Sequence, residues 1–195
     1  MPIHRRTSRG FTLIELLVTI AVIGVMAALA APSFRDFIVR RNLESITSEF
    51  QADIMRSRGE AVSRNLCVTM CMSSSAANAS PACTSSGTDW QVGWIVFLNP
   101  ACDSTQNSPT TAADLISARV TKSGDYHLEA QGSTPTKKFM FNSRGSSGLS
   151  SAELFKSLYI NIDNDLTNKY AKNICVDGLG RSRAIPSADD CDSYK

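Results

Sequence analysis

Three rhythms of hydrophobic and polar residues follow one another along the chain. Phe11–Ala31 reads FTLIELLVTIAVIGVMAALAA, an almost unbroken apolar run. A helix needs ~20 such residues to cross a bilayer core, so this run is long enough to span one. After Pro32 the apolar positions thin to Phe34, Phe37, Ile38, Leu43, Ile46, Phe50, Ile54 and Ala61. From Leu43 they step by three, four, four and seven, the spacing of one helix face. Arg40, Arg41, Glu44, Glu49, Asp53, Arg56 and Arg58 fill the other faces and read as solvated. The two patterns predict one long helix from about Thr12 to about Asn65, its second half packing a single stripe against a sheet. The stripe is too irregular for a sustained coiled coil. Pro32 lacks an amide donor and crowds the preceding turn, so a bend is expected there.

From Leu66 the period shortens. Leu66–Met72 is a β-compatible run, and Trp90–Leu98 (WQVGWIVFL) is a strongly apolar strand rich in aromatic and β-branched residues. Ser73–Asp89 and Asn99–Ala113 are polar loops between them. Leu115–Val120, Tyr126–Glu129, Lys137–Asn142, Leu154–Ile162 and Asn173–Val176 are further strand candidates. The order predicts an α+β chain: a long N-terminal helix packed against meandering antiparallel sheets. No internal repeat is present.

Composition narrows this picture. Hydrophobic residues make up 43% of 195, which argues against a disordered chain. A mean hydropathy of −0.10 excludes many spans but leaves room for one. Lys and Arg number 20 against 18 Asp and Glu, so a globally basic nucleic-acid binder is excluded. His4, Arg5, Arg6 and Arg9 precede the apolar run with no acid, which favours a cytoplasmic start. A secretory signal fits poorly, because the run is long for an h-region and carries Glu15. A carboxylate at that depth either snorkels to the interface or finds a cationic partner in an assembly.

Gly10-Phe11-Thr12-Leu13-Ile14-Glu15 behind a basic leader resembles the class III signal of type IV pilins and type II secretion pseudopilins. The resemblance implies that a prepilin peptidase cuts between Gly10 and Phe11 and methylates the new amine. It also implies that Glu15 pairs with the Phe11 amine of a neighbouring subunit in a filament. Arg56-Ser57-Arg58-Gly59-Glu60-Ala61, Val68-Thr69-Met70-Cys71, Trp90…Gly93-Trp94…Phe97 and Phe139-Met140-Phe141…Gly145 extend the likeness to the GspH/FimT family. The layout implied is a type IV pilin-like fold in four parts. Residues 1–10 are a cleaved leader, 11–31 a transmembrane and filament-core helix, 32–65 its amphipathic continuation, and 66–195 a β-rich head. The implied setting is the bacterial inner membrane, with the N-terminus cytoplasmic and the head periplasmic, and then a pilus.

Cys67, Cys71, Cys83, Cys102, Cys175 and Cys191 form an even set for an oxidising compartment. Fifteen pairings are open to six cysteines. Topology suggests Cys71–Cys83 across the first loop, Cys175–Cys191 at the C-terminus, and Cys67–Cys102 at the open end of a hairpin. Each bridge would contribute about 2–4 kcal/mol. A zinc site is disfavoured, because the spacings lack a C-x2-C pair and His127 is alone in the head. No cofactor is implied.

Catalytic signatures are missing. A lone His127 serves packing more often than catalysis, and neither a nucleophile elbow nor a phosphate-binding loop occurs. Asp163-Asn164-Asp165 lacks the Gly and Glu of a calcium loop and reads as a polar turn. Gly178-Leu179-Gly180-Arg181-Ser182-Arg183 is more informative, because no acid occurs from Gly178 to Ala188. If this stretch is extended, Arg181 and Arg183 share a face and can contact successive phosphates. The plain alternative is solvated protection of an edge strand. Gly180, Arg181 and Arg183 resemble the Gly-Arg-x-Arg DNA-binding motif of FimT-type minor pilins of natural competence. Lys137, Lys138, Arg144, Lys169 and Lys172 would supplement them if the sheets bring them near, whereas Asp189, Asp190 and Asp192 would oppose them. Two functions follow as expectations. One is non-specific binding of double-stranded DNA for uptake. The other is a structural role without DNA, in pilus assembly or as a GspH-like pseudopilin of type II secretion.

Removing the leader takes Arg5, Arg6 and Arg9 and no acid, which lowers the basic count from 20 to 17 against 18 acids. Any DNA binding must therefore rest on a small local patch.

Overall fold

A computed structural model describes residues 10–120, 124–160 and 168–191. Among these, one α-helix and eight β-strands form. Helix α1 spans Leu13–Arg64 and runs through residue 32 without interruption. Thr12 Oγ1 accepts the Glu15 amide at 3.3 Å, satisfying one of the donors that a helix start leaves over. At the other end Asn65 turns into the left-handed region (φ 54°), and the Leu66 amide reaches back to the Ala61 carbonyl.

The chain divides into two units, Met1–Ile38 and Val39–Lys195. In the first, the described side chains are exposed almost throughout, including Phe11, Ile14, Leu29, Phe34 and Phe37. One stretch of α1 is long and apolar enough to cross a membrane.

The second unit has a core of its own. Val39, Leu43, Phe50, Ile54 and Ala61 of α1 are buried and Ile46 is half-buried, in keeping with a single packed stripe. Strands β1 (Cys67–Met72), β2 (Trp94–Asn99), β3 (Leu115–Arg119) and β5 (Lys138–Phe141) make one antiparallel sheet in the order β3-β2-β1-β5. Strands β4 (Tyr126–Ala130), β6 (Glu153–Tyr159), β7 (Lys172–Val176) and β8 (Ser182–Pro186) make a second, in the order β4-β6-β7-β8. The chain thus changes sheets three times: β4 leaves for the second sheet, β5 returns beside β1, and β6 rejoins β4.

Phe50 joins the layers. Its ring centroid lies 5.2 Å from Trp90, 5.6 Å from Trp94 and 5.1 Å from Phe155 of β6. Phe139 and Phe141 of β5 complete this aromatic centre. Polar links also cross from helix to sheet. Thr47 Oγ1 lies 3.0 Å from Ser157 Oγ, and Asp53 accepts from Trp94 Nε1 at 2.8 Å and from Arg119 Nε and Nη2 at 3.1 and 3.0 Å. Asp53 is therefore buried, not part of the solvated face that its spacing suggests.

The disulfides are Cys67–Cys102, Cys71–Cys83 and Cys175–Cys191, with Cα–Cα separations of 5.2, 5.5 and 5.5 Å. They are the pairs that the strand order suggests.

Three further sequence expectations need correction. Trp90–Leu98 is not one strand: Trp90–Val92 is a 3-10 turn, and β2 starts at Trp94. Asp89 caps that turn by accepting the Gln91 amide at 2.9 Å. Gly93 follows at φ 121°, where a Cβ would sit 2.8 Å from the Ser73 carbonyl and 2.9 Å from that of Arg119. Two backbones therefore close on Gly93, whose positive φ ends the 3-10 turn and starts β2 at the next residue. The candidate Leu154–Ile162 ends at Tyr159; its last two residues, like residues 1–9, Asp163–Asp165 and Asp192, lie outside the described residues. Strand β8 was not among the candidates, although the extended geometry considered after Gly180 is the one it adopts.

Candidate nucleic-acid interface

The Gly-rich segment connects β7 to β8. The register pairs Val176 with Ser182, Cys175 with Arg183 and Asn173 with Ile185. Asp177 and Arg181 continue the ladder, the Asp177 amide donating to the Arg181 carbonyl at 3.0 Å, and the Gly180 amide closes the turn on the Asp177 carbonyl at 2.9 Å. Strand alternation sets the faces. Ile174 and Val176 lie in the core, so Cys175 and the opposing Arg183 lie on the outer face, and Arg181 follows two residues earlier.

Asp177 holds the turn from inside. Its Oδ1 accepts the Arg181 amide at 2.8 Å and its Oδ2 accepts Arg181 Nε at 2.7 Å. Burial pushes the Asp177 carboxyl up, but the amide and guanidinium of Arg181 outweigh it and hold the group below its ordinary value.

This turn is docked on the loop that follows β5. Gly180 has φ 73°, and a Cβ there would lie 2.5 Å from the Gly145 carbonyl oxygen and 3.0 Å from the Phe141 ring. Only a glycine lets the two backbones meet in this way. Ser146 Oγ and the Ser147 amide donate to the Gly178 carbonyl at 2.7 and 3.1 Å, and Ser147 Oγ donates to the Asp177 carbonyl at 2.8 Å. Asn142 Oδ1 accepts the Arg144 and Ser146 amides and shapes that loop. Arg58 of α1 donates from Nε to the Gly145 carbonyl at 3.1 Å. Arg58, Arg144 and Arg181 are thereby gathered around the Gly145–Gly180 contact. Arg144, Arg181 and Arg183 are exposed, as is Leu179 at the tip.

The lysines are not part of this cluster. Lys172 has the parity of Ile174 and pairs with Pro186 at the far end of the hairpin. It lies near Glu44 of α1, whose carboxyl is held below its ordinary value first by Arg40 and more weakly by Lys172. Lys138 Nζ donates to the Ser104 and Gln106 carbonyls and to Asn107 Oδ1 at 2.9, 3.0 and 2.6 Å. Burial lowers its affinity for a proton, with Asp103 opposing. Lys137 donates to the Ser85 carbonyl at 2.7 Å, and Lys169 lies over the Tyr170 ring at 5.3 Å. Cys191 is bonded to Cys175, directly across from Arg183, so Asp189 and Asp190 run along the arginine face.

Elsewhere, His127 Nδ1 lies 2.8 Å from Asp89 Oδ2 while Asp89 Oδ1 accepts the Leu128 amide, which makes this pair a joint between β4 and the turn before β2. Among the described residues no cluster of three His, Cys, Asp or Glu side chains could hold a metal.

Sequence reasoning missed two participants. Arg58 reads as one more charge on a solvated helix face; nothing local distinguishes it. Asp177 lies one residue before the acid-free stretch, and its spacing of four from Arg181 across a Gly-rich turn was a legible signal.

A prepilin-type N-terminus, a long helix and two antiparallel sheets define a subunit of the type IV pilin class. A prokaryotic N-terminal methylation motif matches residues 5–31, and the family described as type II transport protein GspH matches residues 47–180. The chain belongs to the GspH family. In fold it is similar to the type IV minor pilin FimU of Pseudomonas aeruginosa, with a TM-score of 0.56 and 15% identity over 78% of this chain and 95% of that one. A fimbrial protein of Pseudomonas aeruginosa is 40% identical over 47 residues, 24% of this chain and 30% of that protein. A type IV major alpha-pilin of Moraxella bovis is 43% identical over 44 residues, 23% of this chain and 28% of that protein. The chain thus spans under a third of the length of these curated relatives.

Proposed function

We propose that this chain is a minor type IV pilin that binds double-stranded DNA weakly and without sequence preference, through the β7–β8 turn. The observation that carries this reading is the seating of Gly180 on Gly145, which brings Arg58 and Arg144 to the same turn as Arg181. Guanidiniums match phosphate oxygens in bidentate geometry, and an interface built from them reads backbone, not bases. Maturation in this reading is cleavage by a prepilin peptidase after Gly10 and methylation of Phe11. Glu15 then docks on the Phe11 amine of a neighbouring pilin. The anchor is the inner membrane, with the head outside the cytoplasm until assembly.

The test is DNA binding by the full chain in neutral detergent micelles. Two phosphate contacts give a slope of log K on log salt of about −2. Arg181→Ala with Arg183→Ala is expected to abolish most of that slope and most of the affinity. Unchanged affinity would remove the motif from the reading.

A second reading, a structural subunit without DNA, is favoured by the description of the family as a type II transport protein and by the hold of Asp177 on Arg181. A deletion that stops secretion but leaves transformation intact would select it.

A further inference from the structure

Arg181 is exposed, yet both its main chain and its guanidinium are engaged. Asp177 grips it at two points, Oδ1 on the main-chain amide and Oδ2 on Nε. The main chain that carries the carboxylate is itself tied down, because the Asp177 amide and carbonyl are engaged by Arg181, Gly180 and Ser147. Guanidinium geometry gives this a directional consequence. Nε sits on the inner side of the planar fork, and engaging it leaves the two Nη groups as the outer edge. The side chain remains 64% exposed while held in this way.

We propose that Asp177 is a positioning residue for phosphate recognition, fixing Arg181 by its Nε so that the Nη pair faces a DNA phosphate. The proposal rests on the DNA-binding reading above. It makes a claim opposite in sign to simple charge counting, in which an acid beside the motif repels phosphate. Two features support it. Arg181 is already ordered, so a phosphate does not have to immobilise a long side chain. The turn that carries the pair is seated on a second loop through Gly178 and Gly180, where any Cβ would meet a carbonyl oxygen at 2.5 Å. The backbone beneath the guanidinium is therefore closely packed.

Asp177→Asn separates the two accounts. It is close to isosteric, keeps a carbonyl oxygen for the Arg181 amide, and raises the net charge by one unit. Binding of a short blunt DNA duplex is measured by fluorescence anisotropy on the full chain in neutral detergent micelles, with and without Arg181→Ala. A thermal melt controls for folding, and NMR follows the Arg181 Nε–H signal. With Arg181 present, Asp177→Asn is expected to weaken binding about two- to tenfold, the cost of ordering one long side chain. In the Arg181→Ala background the same change is expected to leave affinity level or raise it. The Nε–H signal should lose its protection from exchange in Asp177→Asn.

Tighter or unchanged binding by Asp177→Asn with Arg181 present overturns the proposal and leaves the DNA reading standing. Equal losses in both backgrounds also overturn it, because they mark a general role in shaping the turn. If the unmodified chain does not bind duplex, the DNA reading falls and takes this proposal with it; if it binds duplex indifferently to Arg181→Ala, this proposal falls alone.

Discussion

Asp53 and Asp177 show how much a single carboxylate can organise. Asp53 accepts from Trp94 and twice from Arg119 while buried, whereas Glu49 meets Arg119 Nη1 at 3.3 Å from a half-exposed position. Arg119 is 38% exposed and would keep Glu49, but removing Asp53 leaves the buried Trp94 indole N–H without its acceptor, at a cost of about 1–3 kcal/mol. An exposed pair contributes about 0–1 kcal/mol. Asp53→Ala should therefore lower the melting temperature strongly and Glu49→Ala barely, as calorimetry would show. At Asp177 the carboxyl titrates below its ordinary value. Its stabilisation of the turn is thus fully present above the ordinary carboxylate range and is lost as pH falls through the depressed value. An NMR titration should find the Arg181 Nε–H protected from neutral pH down through the ordinary carboxylate range, then losing protection below it. Loss of protection near neutral pH would contradict that sign.

At the scale of elements, the β7–β8 turn depends on Gly180. An alanine there would combine a positive φ with a clash on the Gly145 carbonyl. Strain of this kind costs on the order of 1–3 kcal/mol, so Gly180→Ala should lower stability and shift the amide signals of Arg144 and Gly145 together. Legibility of the elements followed pattern strength. The α1 stripe from Leu43 to Ala61 and the runs of β1, β3 and β7 are periodic or apolar enough to find. Strand β8 reads Ser-Arg-Ala-Ile-Pro, with one buried apolar residue, Ile185, and so carries no pattern of its own. The 3-10 turn at Trp90 was hidden because both tryptophans are buried, and burial looks the same in a strand and in a turn. Its causes are one local, Asp89 capping the turn, and one tertiary, Gly93 squeezed between Ser73 and Arg119. In the candidate site, parity along the strand put Arg181 and Arg183 together. The loop that delivers Arg144 and the helix that delivers Arg58 meet the turn only through long-range contacts, which no local spacing encodes.

At the scale of the whole molecule, charge is close to balanced and the three cross-links are short in range. They span 35, 12 and 16 residues, and each ties a strand to a loop or terminal segment beside it. None joins α1 to a sheet or one sheet to the other. The layers are held instead by Phe50 among Trp90, Trp94 and Phe155, with the Asp53 and Thr47 links beside them. Covalent chemistry and architecture are therefore separable in this head. Under mild reductant, circular dichroism should keep its strand signal while limited proteolysis begins to cut within Ser73–Asp89 and Asn99–Ala113. The bridges would then count mainly as armour, guarding long polar loops against proteolytic cutting.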